Sequence, residues 1–364
     1  MKRIILTGGG TAGHVTPNLA LIPYLREAGC EITYIGSYGG IEKELIEKAG
    51  VEYYGIASGK LRRYLSLKNI SDPLRVLKGG VEAGKIIREK NPDVVFSKGG
   101  YVSVPVVLAA ERMRIPVVIH ESDLTIGLAN RLVMNRATKI CCNFPETMAQ
   151  IPGSKGILTG SPIREELKKG EKEKGIEICS FDASDTRSRT ILVMCGSLGS
   201  VKINQNVREI IDRLKENYRV IHVCGRGNVD ENIPNDRQYR QFEYVSDELP
   251  HLMALADMVV SRAGANSIAE FAMLAKPNLL IPLSKGASRG DQILNADSYR
   301  KQGFSLVLPE EEMTPDSLFD SIVQLDREKQ KYIYAMQRSG AGDATQTVLE
   351  IIRKAADNKS KKRG

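Results

Sequence analysis

The sequence predicts an α/β protein of two Rossmann-like, doubly wound parallel-sheet domains facing a cleft. Three observations carry that reading. The chain opens with MKRIILT (Met1–Thr7), a short β-branched apolar run, which leads through GGGTAG (Gly8–Gly13) into a helical pattern. A second such run, Thr190–Met194, leads into CGSLGS at Cys195–Ser200. Around both, apolar runs of strand length alternate with amphipathic stretches of helix length, the rhythm of βαβ units. A strand, a glycine turn and a helix start form a phosphate cradle. Glycine lets backbone N–H groups approach an anion closely, and a helix N-terminus adds roughly half a positive charge.

In the amino-terminal half the runs predict strands at Lys2–Thr7, Glu31–Ile35, Glu52–Ile56, Asp93–Ser97, Pro116–Ile119, Lys139–Cys142 and Lys155–Thr159. Helices are expected at His14–Ala28, Ile41–Ala49, Asp72–Glu89, Val104–Arg112 and Gly127–Asn135. Ser161–Arg189 is polar and weakly patterned, which places the domain crossing there. The second half predicts strands at Thr190–Met194, Arg219–Val223, Met258–Val260, Pro277–Ile281 and Phe304–Val307. Its helices are expected at Val201–Glu216, Glu248–Leu255, Asn266–Leu274, Asp291–Lys301, Thr314–Gln337 and Asp343–Ala356. The expected domains are residues 1–162 and 163–340, with a carboxyl-terminal helix and basic tail over 341–364.

Composition narrows the function. The 364 residues are enough for two domains of ordinary size. No apolar run reaches the ~18 residues of a membrane span, and no secretory leader is expected, because Lys2-Arg3 passes straight into a strand. Six cysteines without a CxxC pair, and four histidines, make a structural zinc site unexpected; reduced thiols are the plain reading. The net charge of +8 is uneven: Lys60–Lys90 carries +6 and Ile351–Gly364 carries +5, leaving the remainder slightly acidic. That distribution argues against a nucleic-acid binder; local basic patches fit an anionic membrane surface or, for the tail, a solvated segment without a partner. The Lys60–Lys78 segment mixes Lys60, Arg62, Arg63, Lys68, Arg75 and Lys78 with Leu61, Tyr64, Leu65, Leu67, Leu74 and Leu77, as a peripheral footprint or an ordinary amphipathic helix facing the core would.

The chemistry-bearing segments fall at strand ends, where open α/β sheets bind ligands. GGGTAGH is neither a dinucleotide fingerprint nor a Walker A loop. The second strand ends in Ile35-Gly36-Ser37 without a ribose-binding acid, and no Lys-Ser/Thr follows the last glycine. It reads as a phosphate loop or a tight structural turn. Gly99-Gly100-Tyr101 with Ser103 forms a second glycine turn after the strand ending at Ser97. His120-Glu121-Ser122-Asp123 ends another strand and reads as a polar site or as a helix cap. Around Ala265, small residues permit close approach of a nucleotide, and Glu270, in the early turns of the next helix, suits two ribose hydroxyls. Asp291 and Gln292 open a later helix, with side chains suited to hexose hydroxyls or, for Asp291, to a cap.

Together these segments resemble the MurG family, glycosyltransferases of the GT-B fold that add N-acetylglucosamine to undecaprenyl-pyrophosphoryl-N-acetylmuramyl-pentapeptide. GGGTAGHVTPNLAL, GGYVSVP, HESDLTIGLAN, GSPIR, CGSLGS, SRAGANSIAE and DQILNA are similar to its landmarks in order and spacing, across roughly residues 1–340. The resemblance implies an inverting, metal-independent transfer without a cofactor, on the cytoplasmic side of the cell membrane, alongside other cell-wall synthesis proteins. It implies that UDP-N-acetylglucosamine meets Ser197, Glu270, Ala265, Arg164, Tyr244, Val245, Asp291 and Gln292, with Thr11, Ala12, Gly13 and Asp123 reaching it from the amino-terminal domain. The acceptor pyrophosphate would lie near Gly9, Gly10, Gly99, Gly100, Tyr101 and Ser103. The sequence departs from the family pattern at Leu198, where glutamine is familiar, at Asp123, where asparagine is common, and at Asp291, where a second glutamine is common. His14 is the first candidate for the base that deprotonates the acceptor hydroxyl, and Asp123 or Glu121 the second. A UDP-N-acetylglucosamine epimerase and a non-catalytic nucleotide-sugar binder are the rival readings.

Overall fold

The computed structural model describes residues 1–59, 71–185, 189–196, 198–286, 290–340 and 344–361. The chain forms two compact units, Met1–Arg164 with Asp343–Gly364, and Glu165–Gly342.

The first unit carries a seven-stranded sheet of β1 (Arg3–Thr7), β2 (Glu31–Ser37), β3 (Glu52–Ile56), β4 (Val94–Ser97), β5 (Val117–Glu121), β6 (Lys139–Cys142) and β7 (Gly156–Leu158). The strand order is β3-β2-β1-β4-β5-β6-β7 and every pairing is parallel. Its helices are α1 (Thr16–Glu27), α2 (Ile41–Lys48), α3 (Ser71–Lys90), α4 (Ser103–Arg112), α5 (Leu128–Val133) and the single turn α6 (Pro145–Met148). Parallel strands covered by crossover helices are buried on both faces, which is why these read as continuous apolar runs. Alternate residues supply two cores. Ile5, Ile35, Val95, Val117 and Ile119 pack with Ala83 and Ile87 of α3 and Val106, Val107 and Ala110 of α4. Ile4, Leu6, Tyr34, Phe96 and Val118 face the other way, against Leu21, Ile22 and Leu25 of α1.

The second unit repeats the plan with β8 (Arg189–Met194), β9 (Tyr218–Val223), β10 (Tyr239–Phe242), β11 (Met258–Ser261), β12 (Asn278–Leu280) and β13 (Leu306–Val307). Their order is β10-β9-β8-β11-β12-β13, again all parallel. Its helices are α7 (Lys172–Cys179), α8 (Val201–Glu209), α9 (Ile211–Lys215), α10 (Leu249–Leu255), α11 (Ala265–Met273), α12 (Asp291–Lys301) and α13 (Pro315–Arg338). The last described element, α14 (Ala344–Lys361), belongs to the first unit. Its Val348, Ile351, Ile352, Ala355 and Ala356 complete the core that holds Ile4, Leu6 and Phe96. Lys2 and Asp357 form an ion pair at 2.9 Å, and Lys359 donates to the Pro92 carbonyl.

Several elements differ from the sequence reading. His14 closes a 3-10 turn (Ala12–His14), and the α-helix starts at Thr16, with Pro17 in its first turn. The expected helix Val201–Glu216 is broken at Ile210 into α8 and α9. Ser161–Arg189 is not featureless but holds α7 and a 3-10 turn, Glu165–Lys169. Strand β10 was not expected, because its residues YRQF carry polar side chains that the fold nevertheless buries in part.

Candidate active site

In each unit the strand order reverses its winding at one point, between β1 and β4 and between β8 and β11. These are the positions where open α/β sheets leave a crevice at the carboxyl ends of the strands. The glycine turns and the loop before Ala265 leave those strands, while Glu121–Asp123 and Asp291–Gln292 belong to the exits of β5 and β12.

At the first switch point, β1 and β4 end in register, Thr7 beside Ser97, and Lys98 N–H donates to Thr7 O at 2.9 Å. The two glycine turns then pack directly on each other. Gly100 has φ +80°, and a Cβ there would stand 2.1 Å from Gly9 O. Gly10 has φ +89°, and a Cβ there would stand 2.8 Å from the Tyr101 hydroxyl. Only glycine satisfies both the positive φ and the contact. Ser103, buried at the start of α4, donates to Gly100 O at 2.7 Å. The buried carboxylate of Glu42 accepts from Gly10 N–H at 3.2 Å and from Ser37 N–H at 3.0 Å, tying the first turn to the end of β2. Sequence reading passed over Glu42, because IEKELIEK looks like a solvated helix face; the glycines at 36 and 40 that crowd its carboxylate were the available signal.

His14 lies beneath the same loop. Its Nδ1 is 3.0 Å from Thr11 Oγ1. Burial, then the nearby Lys98 charge, hold its imidazole down to about 4 against the favourable influence of the Gly9 backbone and Glu42. It is therefore uncharged at neutral pH and able to accept a proton. Thr11 is exposed, Gly13 is partly exposed, and Ala12 opens the 3-10 turn. Lys98 is 1% exposed, with its ammonium donating to Ser122 Oγ. Burial brings it down to about 8, opposed by Glu121, Asp123 and Cys141.

Glu121 is buried at the end of β5, and its carboxylate accepts from Asn130 Nδ2 and Gly127 N–H, both at 2.9 Å, and from Asp123 N–H at 3.2 Å. Burial pushes its pKa up. That arrangement holds the 121–130 loop and presents Asp123, which is partly exposed. Neither Ser122 nor Asp123 caps a helix, since α5 begins at Leu128 after Gly127 with no side-chain cap. Arg164 closes the first unit next to Ile163, whose N–H reaches Thr345 Oγ1 at 3.3 Å.

At the second switch point, Gly196 and Gly199 have φ of +80° and +68°. A Cβ on Gly199 would stand 1.8 Å from Cys224 O, so the turn leans on the loop after β9. Ser200 caps α8, its Oγ accepting from Ile203 N–H at 3.4 Å and from Arg262 at 2.8 Å. Arg262 also pairs with the buried Glu310 and donates to Ile281 O at 3.1 Å, joining the ends of β8, β11 and β12. Ser197 lies outside the described residues. Leu198 is 77% exposed.

Ala265 opens α11 after Gly264, and Glu270 is buried in its second turn. Gln292 Oε1 accepts from Leu283 N–H at 3.0 Å, which fixes the loop before α12. Asp291 is the first residue of that helix rather than its cap, which is Gly290 at φ +82°. Tyr244 is half exposed under the Arg226 guanidinium, 5.6 Å from the ring centroid, and Val245 is buried. Both follow β10, and the loop that carries Arg226 also packs on the turn after β8, Gly225 lying against Gly199. Among the described residues no group of three or more His, Cys, Asp or Glu side chains is placed to hold a metal ion.

Each unit thus presents a glycine turn at its own switch point, where open α/β sheets bind phosphate-bearing ligands. The sequence matches the glycosyltransferase family 28 N-terminal domain over residues 4–142 and the family 28 C-terminal domain over 190–353. It is 54% identical to the UDP-N-acetylglucosamine–N-acetylmuramyl-(pentapeptide) pyrophosphoryl-undecaprenol N-acetylglucosamine transferase of Lachnospira eligens, over 97% of this chain and 99% of that protein. It is 53% identical to the protein of the same name from Clostridium perfringens, over 97% and 98%. The crystal structure of Acinetobacter baumannii MurG superposes with a TM-score of 0.76 at 25% identity, over 97% of this chain and all of that one. The UDP-N-acetylglucosamine 2-epimerase of Neisseria meningitidis, at 15% identity and a TM-score of 0.68 over 97% and 100%, shares the fold. The chain belongs to glycosyltransferase family 28, and within it to the family of these N-acetylglucosamine transferases.

Proposed function

We propose that this protein transfers N-acetylglucosamine from UDP-N-acetylglucosamine to the 4-hydroxyl of N-acetylmuramyl-pentapeptide-pyrophosphoryl-undecaprenol. The observation that carries the proposal is 53–54% identity along 97% of the chain to enzymes named for that reaction. The switch-point chemistry supports it. In the second unit, amides of the turn at 195–200 and the N-terminus of α8 would hold the diphosphate, with Glu270 on the ribose and Asp291 and Gln292 on the sugar. In the first unit, Gly9, Gly10, Gly99, Gly100, Tyr101 and Ser103 would receive the acceptor pyrophosphate.

In the proposed step the acceptor oxygen bonds to the anomeric carbon from the face opposite the phosphate. The carbon–oxygen bond to the diphosphate breaks and UDP leaves with the bonding pair, so the centre inverts. Oriented amides and a helix dipole stabilise that departing charge without a metal. The hydroxyl proton passes to His14, whose uncharged ring suits the role. Glu121, engaged by three N–H groups, serves the loop, and Asp123 is the alternative base.

The lipid acceptor calls for a membrane footprint. The proposed patch at Lys60–Lys78 lies largely outside the described residues. Its described continuation on α3 exposes Leu74 (67%), Leu77 (67%) and Val81 (63%) beside the exposed Arg75 and Lys78. Peripheral binding on the cytoplasmic face of the cell membrane, with other cell-wall synthesis proteins nearby, is part of this reading. No described helix is long and apolar enough to cross a membrane.

Incubation with labelled UDP-N-acetylglucosamine and the lipid-linked muramyl pentapeptide, with EDTA present, tests the proposal. Label in the lipid fraction is expected. Label recovered only as an epimerised sugar, with none on lipid, would overturn it.

A further inference from the structure

In the second unit a line of buried side chains runs from β10 to the turn after β8. The Tyr239 hydroxyl lies 2.9 Å from His222 Nδ1, and His222 Nε2 lies 3.0 Å from Asn204 Oδ1. Asn204 Nδ2 donates to Cys224 O at 2.8 Å. Tyr239, His222, Asn204 and Cys224 are all buried. Their donors and acceptors admit one assignment. A carbonyl only accepts, so Asn204 turns its NH2 to Cys224 and its oxygen to His222. His222 Nε2 therefore carries a proton. Burial, then the Arg208 charge, hold this imidazole down to about 3, so the ring is neutral and has that N–H alone. Nδ1 is left to accept from the Tyr239 hydroxyl.

Cys224 O is the atom on which the glycine turn rests, since a Cβ on Gly199 would stand 1.8 Å from it. Gly225, at φ +91°, packs on the same turn, and a Cβ there would stand 2.3 Å from Gly199 N. Asn228 Nδ2 donates to Leu198 O at 3.1 Å, and Arg208 of α8 donates to Asn228 O. The loop after β9 thus supports the turn, and Asn204, in the opening turn of α8, ties that helix to it. No side chain lies between the two backbones to absorb a shift, so moving Cys224 O moves Gly199. We infer that Asn204 is a positioning residue for the donor substrate: held in one orientation by His222, its amide fixes the Cys224 carbonyl beneath Gly199 and so sets the turn against the N-terminus of α8. The positioning role rests on the proposed seat of the diphosphate at this turn; the order of the hydrogen bonds does not.

The hydrogen-bond order is read from 1H–15N spectra of the unsubstituted, 15N-histidine-labelled protein at neutral pH, with His222 assigned through its NOE to the Tyr239 ring. A neutral ring protonated at Nε2 is expected. Protonation at Nδ1, or at both nitrogens, overturns the inference, and that measurement needs no variant to fold. The positioning role is tested by comparing UDP with uridine in Asn204→Leu, which is uncharged and cannot donate to Cys224 O. The dissociation constant of UDP should rise about tenfold, as for the loss of one buried hydrogen bond, while that of uridine, which lacks the phosphates, stays unchanged. A folded Asn204→Leu protein that binds UDP as the unsubstituted one does, or that loses UDP and uridine alike, overturns the inference. In the unsubstituted protein UDP should shift the Gly196 and Gly199 amide resonances and uridine should not. An equal response to both ligands, or none, removes the diphosphate from this turn and overturns the positioning role with it, whichever nitrogen carries the ring proton.

Discussion

Gly100 and His14 make separate demands on the first glycine turn. Gly100→Ala adds a methyl group 2.1 Å from Gly9 O at φ +80°, so the turns must part. It should cost about 1–3 kcal/mol of stability and lower acceptor-dependent turnover at least tenfold, measured by denaturant melts and by the lipid assay. His14→Ala leaves that packing intact but should lower kcat about a hundredfold or more at saturating substrates. Normal turnover in this variant would exclude His14 as the base. Most residues at these turns were legible in the sequence, because glycine at a strand exit has few other uses. Glu42 and Arg262 show where legibility ended. Each works by reaching another loop, Glu42 to Gly10 and Ser37, and Arg262 to Ser200 and Glu310. Nothing local in the sequence records such a partner.

Helix α3 joins the fold through one side and leaves another uncovered. Glu82 accepts from Ala57 N–H at 2.7 Å and from the Tyr38 hydroxyl at 2.8 Å, while Ala83 and Ile87 enter the core. Leu74, Leu77 and Val81 stand three and four residues apart, which puts them on one exposed stripe. Leu74→Ser with Leu77→Ser should reduce flotation with anionic vesicles severalfold while leaving turnover of a water-soluble acceptor analogue unchanged. Equal flotation by both proteins would count against this helix as the contact. At this scale the apolar runs exposed every strand but β10, whose Gln241 is buried through bonds to Asp230 O and Ile233 O rather than by apolar character. The break at Ile210 was equally hidden, since Val201–Glu216 contains neither glycine nor proline to announce it.

For the whole molecule, buried imidazoles set the response to acid. His14 is held down to about 4 and His222 to about 3, and His120 lies well below the ordinary imidazole range, in each case chiefly through burial. Between about pH 6.5 and pH 4 the unfolded chain therefore binds protons that the folded chain refuses, so stability falls as pH falls through that window. Glu121, pushed upward, acts with the opposite sign but is one carboxyl against three rings. Urea midpoints should drop between pH 7 and pH 4.5, and the drop should be shallower in His14→Gln. Deleting α14 should unfold the first unit, as seen by loss of the cooperative melt. It removes the fully buried Val348 and Ile352 with three further core residues, at about 1.5–3 kcal/mol for each large side chain, against a total of about 5–15 kcal/mol for a typical domain.

The return of α14 to the first unit also sets an order of assembly during synthesis. The ribosome makes residues 1–164 first, yet the apolar face formed by Ile4, Leu6 and Phe96 waits for a helix that emerges only after all of Glu165–Gly342 has been translated. Through that interval the flank already packed on α1 stays unfinished. Vectorial folding thus finishes the leading half last.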